Sequence, residues 1–207
     1  MSTRRKPAGP VDGYEWDVFL SYIRSGASGE WVQKLFYPTL QKWLDANSPK
    51  KVRIFYDETI EESGLWPAVL KRGLLRSRCM VAVVSPPYFE SNWCKAEWAS
   101  LRARERALKL WTPENPMSGL IHGVVFTNPD GLPVDAKKRQ MTDFTNWNIS
   151  GEFFAGTLEY QKFVKAVQKL SLQILARLPQ SPKFNKNWPV KGARVTKRTS
   201  IAQPRLI

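Results

Sequence analysis

Trp93 and Glu97 stand four residues apart in the run Asn92-Trp93-Cys94-Lys95-Ala96-Glu97-Trp98. On a helix, that spacing puts an aromatic plate and a carboxylate on one face. Such a pair suits a flat cationic ligand joined to a sugar. The ring stacks a pyridinium, and the carboxylate accepts hydrogen bonds from ribose hydroxyls. A carboxylate there also stabilises positive charge on an anomeric carbon as a leaving group departs, as glycosidase carboxylates do. Spacing alone supports equally a Trp93 that anchors the core and a Glu97 paired with Arg104 or another surface base. Other chemistry is sparse. There is no GxGxxG, GxxxxGK[ST] or HExxH. The single His122 lies within an apolar run and reads as a core or edge residue. Cys79 heads a buried strand. Cys94 falls in the first turn of a helix, where the dipole lowers a thiol pKa, but it has no His partner. One His and two Cys argue against a zinc site and a disulfide scaffold.

The elements that must position Trp93 and Glu97 follow from apolar patterning. Strands are expected at Trp16–Tyr22, Val52–Tyr56, Cys79–Val84 and Gly119–Phe126, with an edge strand at Met141–Ile149. Helical spacing appears in Glu30–Ala46, with a kink or break expected at Pro38. Pro67 is placed as the first residue of a helix running to Arg76. Ser91 or Asn92 is expected to cap a long helix over Trp93–Leu110, Val134–Arg139 suits a short helix, and Thr157–Leu178 closes the pattern. Arg24–Gly29 reads as a turn-like loop. Alternating strands and helices imply right-handed parallel βαβ units. The expected fold class is therefore α/β, a flavodoxin-like doubly wound five-stranded parallel sheet. In such sheets the ligand crevice lies beyond the carboxyl ends of the strands. Segments after the first three strands should converge there: Ser21–Arg24, the acidic loop Asp57–Gly64, and Ser85 with Trp93–Glu97.

Lys and Arg total 32 against 18 Asp and Glu, for a net charge of +14. Residues 179–207 carry seven basic and no acidic side chains, so half of that charge is terminal. The expected organisation is a basic, disordered head (1–13), a domain (14–178) and a basic Pro-containing tail (179–207), mobile or extended for want of apolar content. Phe184 and Trp188 are out of place in a pure tail and suit docking onto the domain or a neighbour. Too few aromatics accompany the basic residues for a nucleic-acid stacking platform. No apolar run approaches the ~20 residues that span a bilayer, and the N-terminus lacks the apolar core of a secretory signal. The expectation is a cytoplasmic protein.

Three segments together resemble the TIR (Toll/interleukin-1 receptor) domain family. These are WDVFLSY (Trp16–Tyr22) with Arg24, FYD…G (Phe55–Gly64), and SRCMVAVVSPPYFESNWCKAEW (Ser77–Trp98). The resemblance implies a five-stranded flavodoxin-like fold and a choice between scaffold and enzyme. Enzymatic members cleave the nicotinamide–ribose bond of NAD+, which is substrate rather than cofactor, so no cofactor or metal is implied. Their essential Glu corresponds to Glu97, which scaffold members commonly lack. Trp93 would flank the nicotinamide, Tyr22 and Arg24 match the first strand–helix loop, and Asp57, Glu62 and Gly64 match the BB loop. Ile23 departs from the polar or basic residue often found there, and Trp66-Pro67 after Gly64 departs from the loop. The resemblance further implies self-association through TIR–TIR contacts, an activating protein, and a separate nucleotide-sensing effector, as in bacterial anti-phage systems of the Thoeris type. The alternative is a non-enzymatic TIR–TIR interaction scaffold.

Overall fold

The computed structural model describes residues 12–56, 66–115, 118–149 and 151–193. The acidic loop with Asp57, Glu62 and Gly64, residues 1–11 of the head and 194–207 of the tail lie outside the described residues.

The strands are β1 (Trp16–Ser21), β2 (Ile54–Phe55), β3 (Ser77–Val84), β4 (Ile121–Val125) and β5 (Met141–Asp143). They form one five-stranded sheet in the order β2-β1-β3-β4-β5, with every pair parallel. This is the doubly wound flavodoxin-like order expected from the alternation of elements. The helices are α1 (Gly26–Trp31), α2 (Tyr37–Ala46), α3 (Trp66–Arg76), α4 (Pro86–Glu90), α5 (Asn92–Ala107), α6 (Val134–Lys137) and α7 (Leu158–Arg177). The central strand β3 is buried along nearly its whole length, because a parallel strand with helices on both faces has no solvent side.

Alternation along the strands sorts side chains onto two faces. Val18, Leu20 and Tyr22 join Val81 and Val83 in a core closed by α2 and α7, built around Trp31, Phe36, Phe144 and Phe163. Phe19 joins Phe55, Met80, Ala82 and Val84 in a core on the other face, closed by Leu70, Leu74, Tyr88, Trp98 and Leu101. The second core carries the candidate site.

Several elements differ from expectation in length, each for a local reason. The first helical stretch begins at Gly26, inside the segment read as a turn. Gly29 permits this, because a Cβ there would collide with the carbonyl of Arg24. A π-helical turn, Val32–Phe36, joins α1 to α2. It precedes Pro38, which has no N–H to donate, so the expected break becomes a one-turn widening of a continuous rod. β2 is only Ile54–Phe55, since Val52 N–H is taken by Asp45 Oδ1 at 3.0 Å. β5 stops at Asp143, where its carboxylate accepts from Thr145 N–H and a 3-10 turn, Thr145–Trp147, follows. The Ser-Pro-Pro stop after β3 opens a short helix, α4.

Arg104 ties the site-bearing helices together. Its guanidinium is fully buried and donates to Ser77 O at 2.9 Å and Leu74 O at 2.8 Å. It therefore closes carbonyls that the end of α3 leaves without helical partners. Burial lowers its pKa to about 10, which still leaves it cationic at neutral pH. Replacing Arg104 with Met should cost about 2–4 kcal/mol in urea unfolding, because buried carbonyls lose charged donors. Arg104→Lys should recover only part of this, since an ammonium lacks the planar fork.

Candidate functional site

The site forms where the carboxyl end of β1 meets the first turns of α5. Ser91 starts α5 by accepting Cys94 N–H at 3.3 Å, the N-cap arrangement that satisfies an orphan donor. From that start Trp93 and Glu97 share one face. Trp93 is half-buried against the second core. Glu97 is 7% exposed. Its partner is not Arg104, which is spent on carbonyls two turns away, but Ser21.

Ser21 Oγ donates to Glu97 Oε2 at 2.5 Å and lies 2.6 Å from Tyr88 Oη. A serine has one proton to give, so with Glu97 ionised the order is fixed. Tyr88 donates to Ser21, and Ser21 donates to Glu97. Burial and the nearby Cys94 and Glu97 push Tyr88 well above its ordinary pKa, so it remains a donor. β1 thus delivers Ser21, α4 delivers Tyr88 and α5 delivers Glu97 to one buried chain of hydrogen bonds.

Burial is the dominant influence on Glu97. It raises the carboxyl from 4.5 to about 7, while the Ser21 hydrogen bond and the positive charge of Arg24 oppose it. Glu97 therefore changes charge near neutral pH, a property that clusters at functional sites. Cys94 moves opposite to the helix-dipole expectation. Burial, then the Glu97 charge, pushes its thiol up to about 12, and Sγ donates to Tyr22 O at 3.6 Å. It is a packed thiol, not a nucleophile.

A cavity of about 260 Å³ opens beside this chain. Leu70 and Leu74 of α3, Trp93 and Ala96 of α5, and Val190 of the C-terminal segment give it apolar walls, with Glu97 as its acid. The aromatic ring and carboxylate singled out by spacing thus line one cavity. Arg24 is exposed at the β1–α1 junction, close enough to bias both Glu97 and Cys94. The Tyr22 ring lies on the opposite sheet face, stacked on Tyr56 with centroids 5.9 Å apart. Its backbone carbonyl accepts from Cys94 Sγ of α5. Asp57, Glu62 and Gly64 lie outside the described residues. Ser21 falls in the Ser21–Arg24 segment expected at the crevice, but the sequence assigns no role to it or to Tyr88. For Ser21 the signal was present, since it shares a face with Phe19 by strand alternation. Nothing in the sequence marked Tyr88.

A second cavity of about 250 Å³ lies between β4, β5 and α7 and shares no lining residue with the first. His122 lines it, neutral at physiological pH because burial and then Arg177 lower its pKa to about 3. Among the described residues no cluster of His, Cys, Asp and Glu could hold a metal ion. No helix among them is long and apolar enough to cross a membrane.

A protein-family model described as "TIR domain" matches residues 18–153. Among solved structures, one similar fold is that of the TIR domains in the activated Roq1 resistosome directly recognizing the pathogen effector XopQ. It has 19% identity and a TM-score of 0.38 over 76% of this chain and 84% of that one. No curated protein matches the chain.

Two outcomes test the electrostatics. The folded Glu97 binds its proton more tightly than the unfolded one, so its contribution to stability falls as pH rises from about 4.5 to about 7. Glu97→Gln should remove that loss. In urea unfolding the variant should match wild type near pH 4.5 and exceed it at pH 8 by up to roughly 3 kcal/mol. Ser21→Ala should raise the Glu97 pKa further, because it deletes the bond that favours the anion. A carboxyl resonance followed by NMR titration would register the upward shift.

Proposed function

Because the chain belongs to the TIR domain family, we propose that it is one of the family's catalytic members and cleaves the nicotinamide–ribose bond of NAD+. The observation that carries this reading is Glu97: a carboxylate with a pKa of about 7, buried in an apolar cavity beside Trp93. A scaffold has no need of such a group, and keeping it charged at neutral pH costs stability.

The pyridinium of NAD+ stacks on Trp93, and the attached ribose lies over Glu97. The ligand's positive charge lowers the Glu97 pKa, so binding itself favours the carboxylate. Ser21 holds Oε2 and Tyr88 holds Ser21, which leaves the other carboxylate oxygen for the ribose hydroxyls. As the C1′–N bond breaks, its electron pair goes to the nicotinamide nitrogen and neutralises the ring. The positive charge passes to the oxocarbenium-like sugar, where the fixed carboxylate stabilises it. Water or another nucleophile then bonds to C1′ and releases its proton to solvent. An attacking adenine nitrogen closes a ring, and a hydroxyl of a second molecule gives transfer. The apolar walls favour these outcomes over hydrolysis by limiting water. Arg24, Asp57, Glu62 and Gly64 belong to this proposal as substrate-binding residues, on the resemblance of the segments that carry them; Tyr22, whose ring is buried on the opposite sheet face, contributes through its backbone carbonyl, which accepts from Cys94 of α5.

On the same resemblance, the product serves as a nucleotide signal, or NAD+ is depleted, in anti-phage defence of the Thoeris type. Assembly of TIR domains completes the site, an activating protein triggers assembly, and a separate effector reads the product. The reaction takes place in the cytoplasm.

NAD+ consumption, with mass identification of products, should be followed for wild type and Glu97→Gln at high protein concentration. A parallel set should use lysates of phage-infected cells expressing each. Wild type should release nicotinamide, and Glu97→Gln should lose at least about a hundredfold in rate, the scale of removing one transition-state electrostatic partner. The kcat/KM should rise with pH through about 7 as Glu97 of the free protein ionises, and kcat should rise at lower pH because the bound cation favours the carboxylate. If Glu97→Gln keeps a wild-type phenotype while neither protein consumes NAD+, the interaction scaffold takes the place of the enzyme.

A further inference from the structure

The cavity has a wall that the family match does not include. After α7 and a 3-10 turn, residues 181–193 follow without regular secondary structure, docked on the domain. Tyr14 Oη donates to Pro182 O at 2.9 Å. Phe184 packs edge-on against Tyr14, with centroids 5.5 Å apart, and the Arg76 guanidinium carbon lies 5.5 Å from the Phe184 ring centroid. Gly13 makes room for that ring, since a Cβ there would overlap it. Trp188 sits over the buried Arg104 guanidinium at 5.3 Å. One turn nearer the site, Lys191 N–H donates to Ser100 Oγ at 2.8 Å. Val190, Lys191, Gly192 and Ala193 then line the cavity that holds Trp93 and Glu97. The strap thus climbs the α3–α5 groove from Arg104 through Ser100 to Glu97.

This brings Lys191 to the same cavity as Lys71 of α3. Both lysines line the cavity and are exposed, so each side chain can bring its ammonium group to the mouth. Glu97 is the acid among the lining residues, and it is buried within. Among the described lining residues the cavity therefore combines a buried carboxylate and an aromatic ring with two lysines whose side chains reach solvent. At about 260 Å³ it falls below the ~300–1,000 Å³ of pockets that enclose a whole drug-sized ligand. A dinucleotide would place only its ring and first sugar inside, and its phosphates would emerge at the rim.

We propose that Lys191 of the C-terminal strap and Lys71 of α3 form the phosphate-binding rim of the Glu97 cavity and select ligands that carry a diphosphate next to the ribose. This rests on the reading of the cavity as the NAD+ site and adds the residues that recognise the anionic half. The backbone bond from Lys191 to Ser100 and the Trp188–Arg104 contact hold the strap in register. The ammonium groups then act as point charges on phosphate oxygens.

The test is calorimetric titration of the full chain with ADP-ribose and, separately, with nicotinamide riboside, which lacks phosphate. Wild type is compared with Lys191→Ala, Lys71→Ala, the double variant and Lys191→Arg. ADP-ribose affinity should fall about three- to fivefold in each single variant and about tenfold in the double, the scale of solvent-exposed charge pairs. Lys191→Arg should restore most of it, and raised salt should erase the difference. Nicotinamide riboside affinity should stay within about twofold throughout, which a merely structural loss of the strap would not allow. Unchanged ADP-ribose binding in the double variant would overturn the proposal. So would tighter binding, which would make the strap a plug, or the absence of binding to wild type at millimolar ligand. Lysine-dependent ADP-ribose binding without nicotinamide release would sink bond cleavage but keep the rim. Nicotinamide release with lysine-independent binding would do the reverse.

Discussion

The buried guanidinium of Arg104 is the constraint on which the site-bearing half of this fold depends. A charge with no solvent exposure is tolerated where polar partners offset its lost hydration. Arg104 finds that compensation in the carbonyls of Leu74 and Ser77, where α3 ends and β3 begins, and beneath the ring of Trp188. One side chain of α5 therefore sets the distance of α5 from α3 and gives the C-terminal strap its footing. Glu97 lies seven residues, about two turns, earlier on the same helix. The groove that Arg104 braces at one end is the cavity that Glu97 lines at the other.

The other half of the site is a balance between burial and hydrogen bonding. Burial alone would drive Glu97 to its neutral form. Ser21, supported by Tyr88, and the charge of Arg24 pull it back, and the carboxyl settles at about 7. The result is a group whose charge responds to what enters the cavity. A cationic ring tips it to carboxylate where that charge is wanted, and an empty cavity leaves it close to half-protonated at neutral pH. Apolar walls from α3, α5 and the strap make this sensitivity possible, because a solvated carboxylate would already be ionised.

The strap gives the domain a boundary of its own. Residues 181–193 have the composition of a tail, basic and poor in aliphatics, yet two aromatic rings and a few polar contacts hold the segment in the α3–α5 groove. Both rings lie against arginines, Phe184 with Arg76 and Trp188 with Arg104. Those cation–π contacts replace the apolar core that a tail of this composition lacks.

Amino-acid order by itself determined the strand–helix alternation, and with it the parallel sheet and its doubly wound order, because apolar runs and periodicity are local properties. It also placed Trp93 and Glu97 on one face of α5, since helical spacing needs no tertiary information. It overextended β2 and β5, where Asp45 and Asp143 divert backbone donors, and it missed the start of α1, where Gly29 lets the chain pass close to Arg24. Only the tertiary structure decided between Arg104 and Ser21 as the partner of Glu97, for a reason spacing cannot carry. Arg104 is nearer in sequence, but the carbonyls of α3 and β3 claim its guanidinium, and the alternation of β1 turns Ser21 toward α5 while sending the Tyr22 ring to the opposite face. The strap's path was likewise a tertiary decision. A charge-rich segment specifies no partner until a buried arginine and a glycine-sized gap are there to receive its rings.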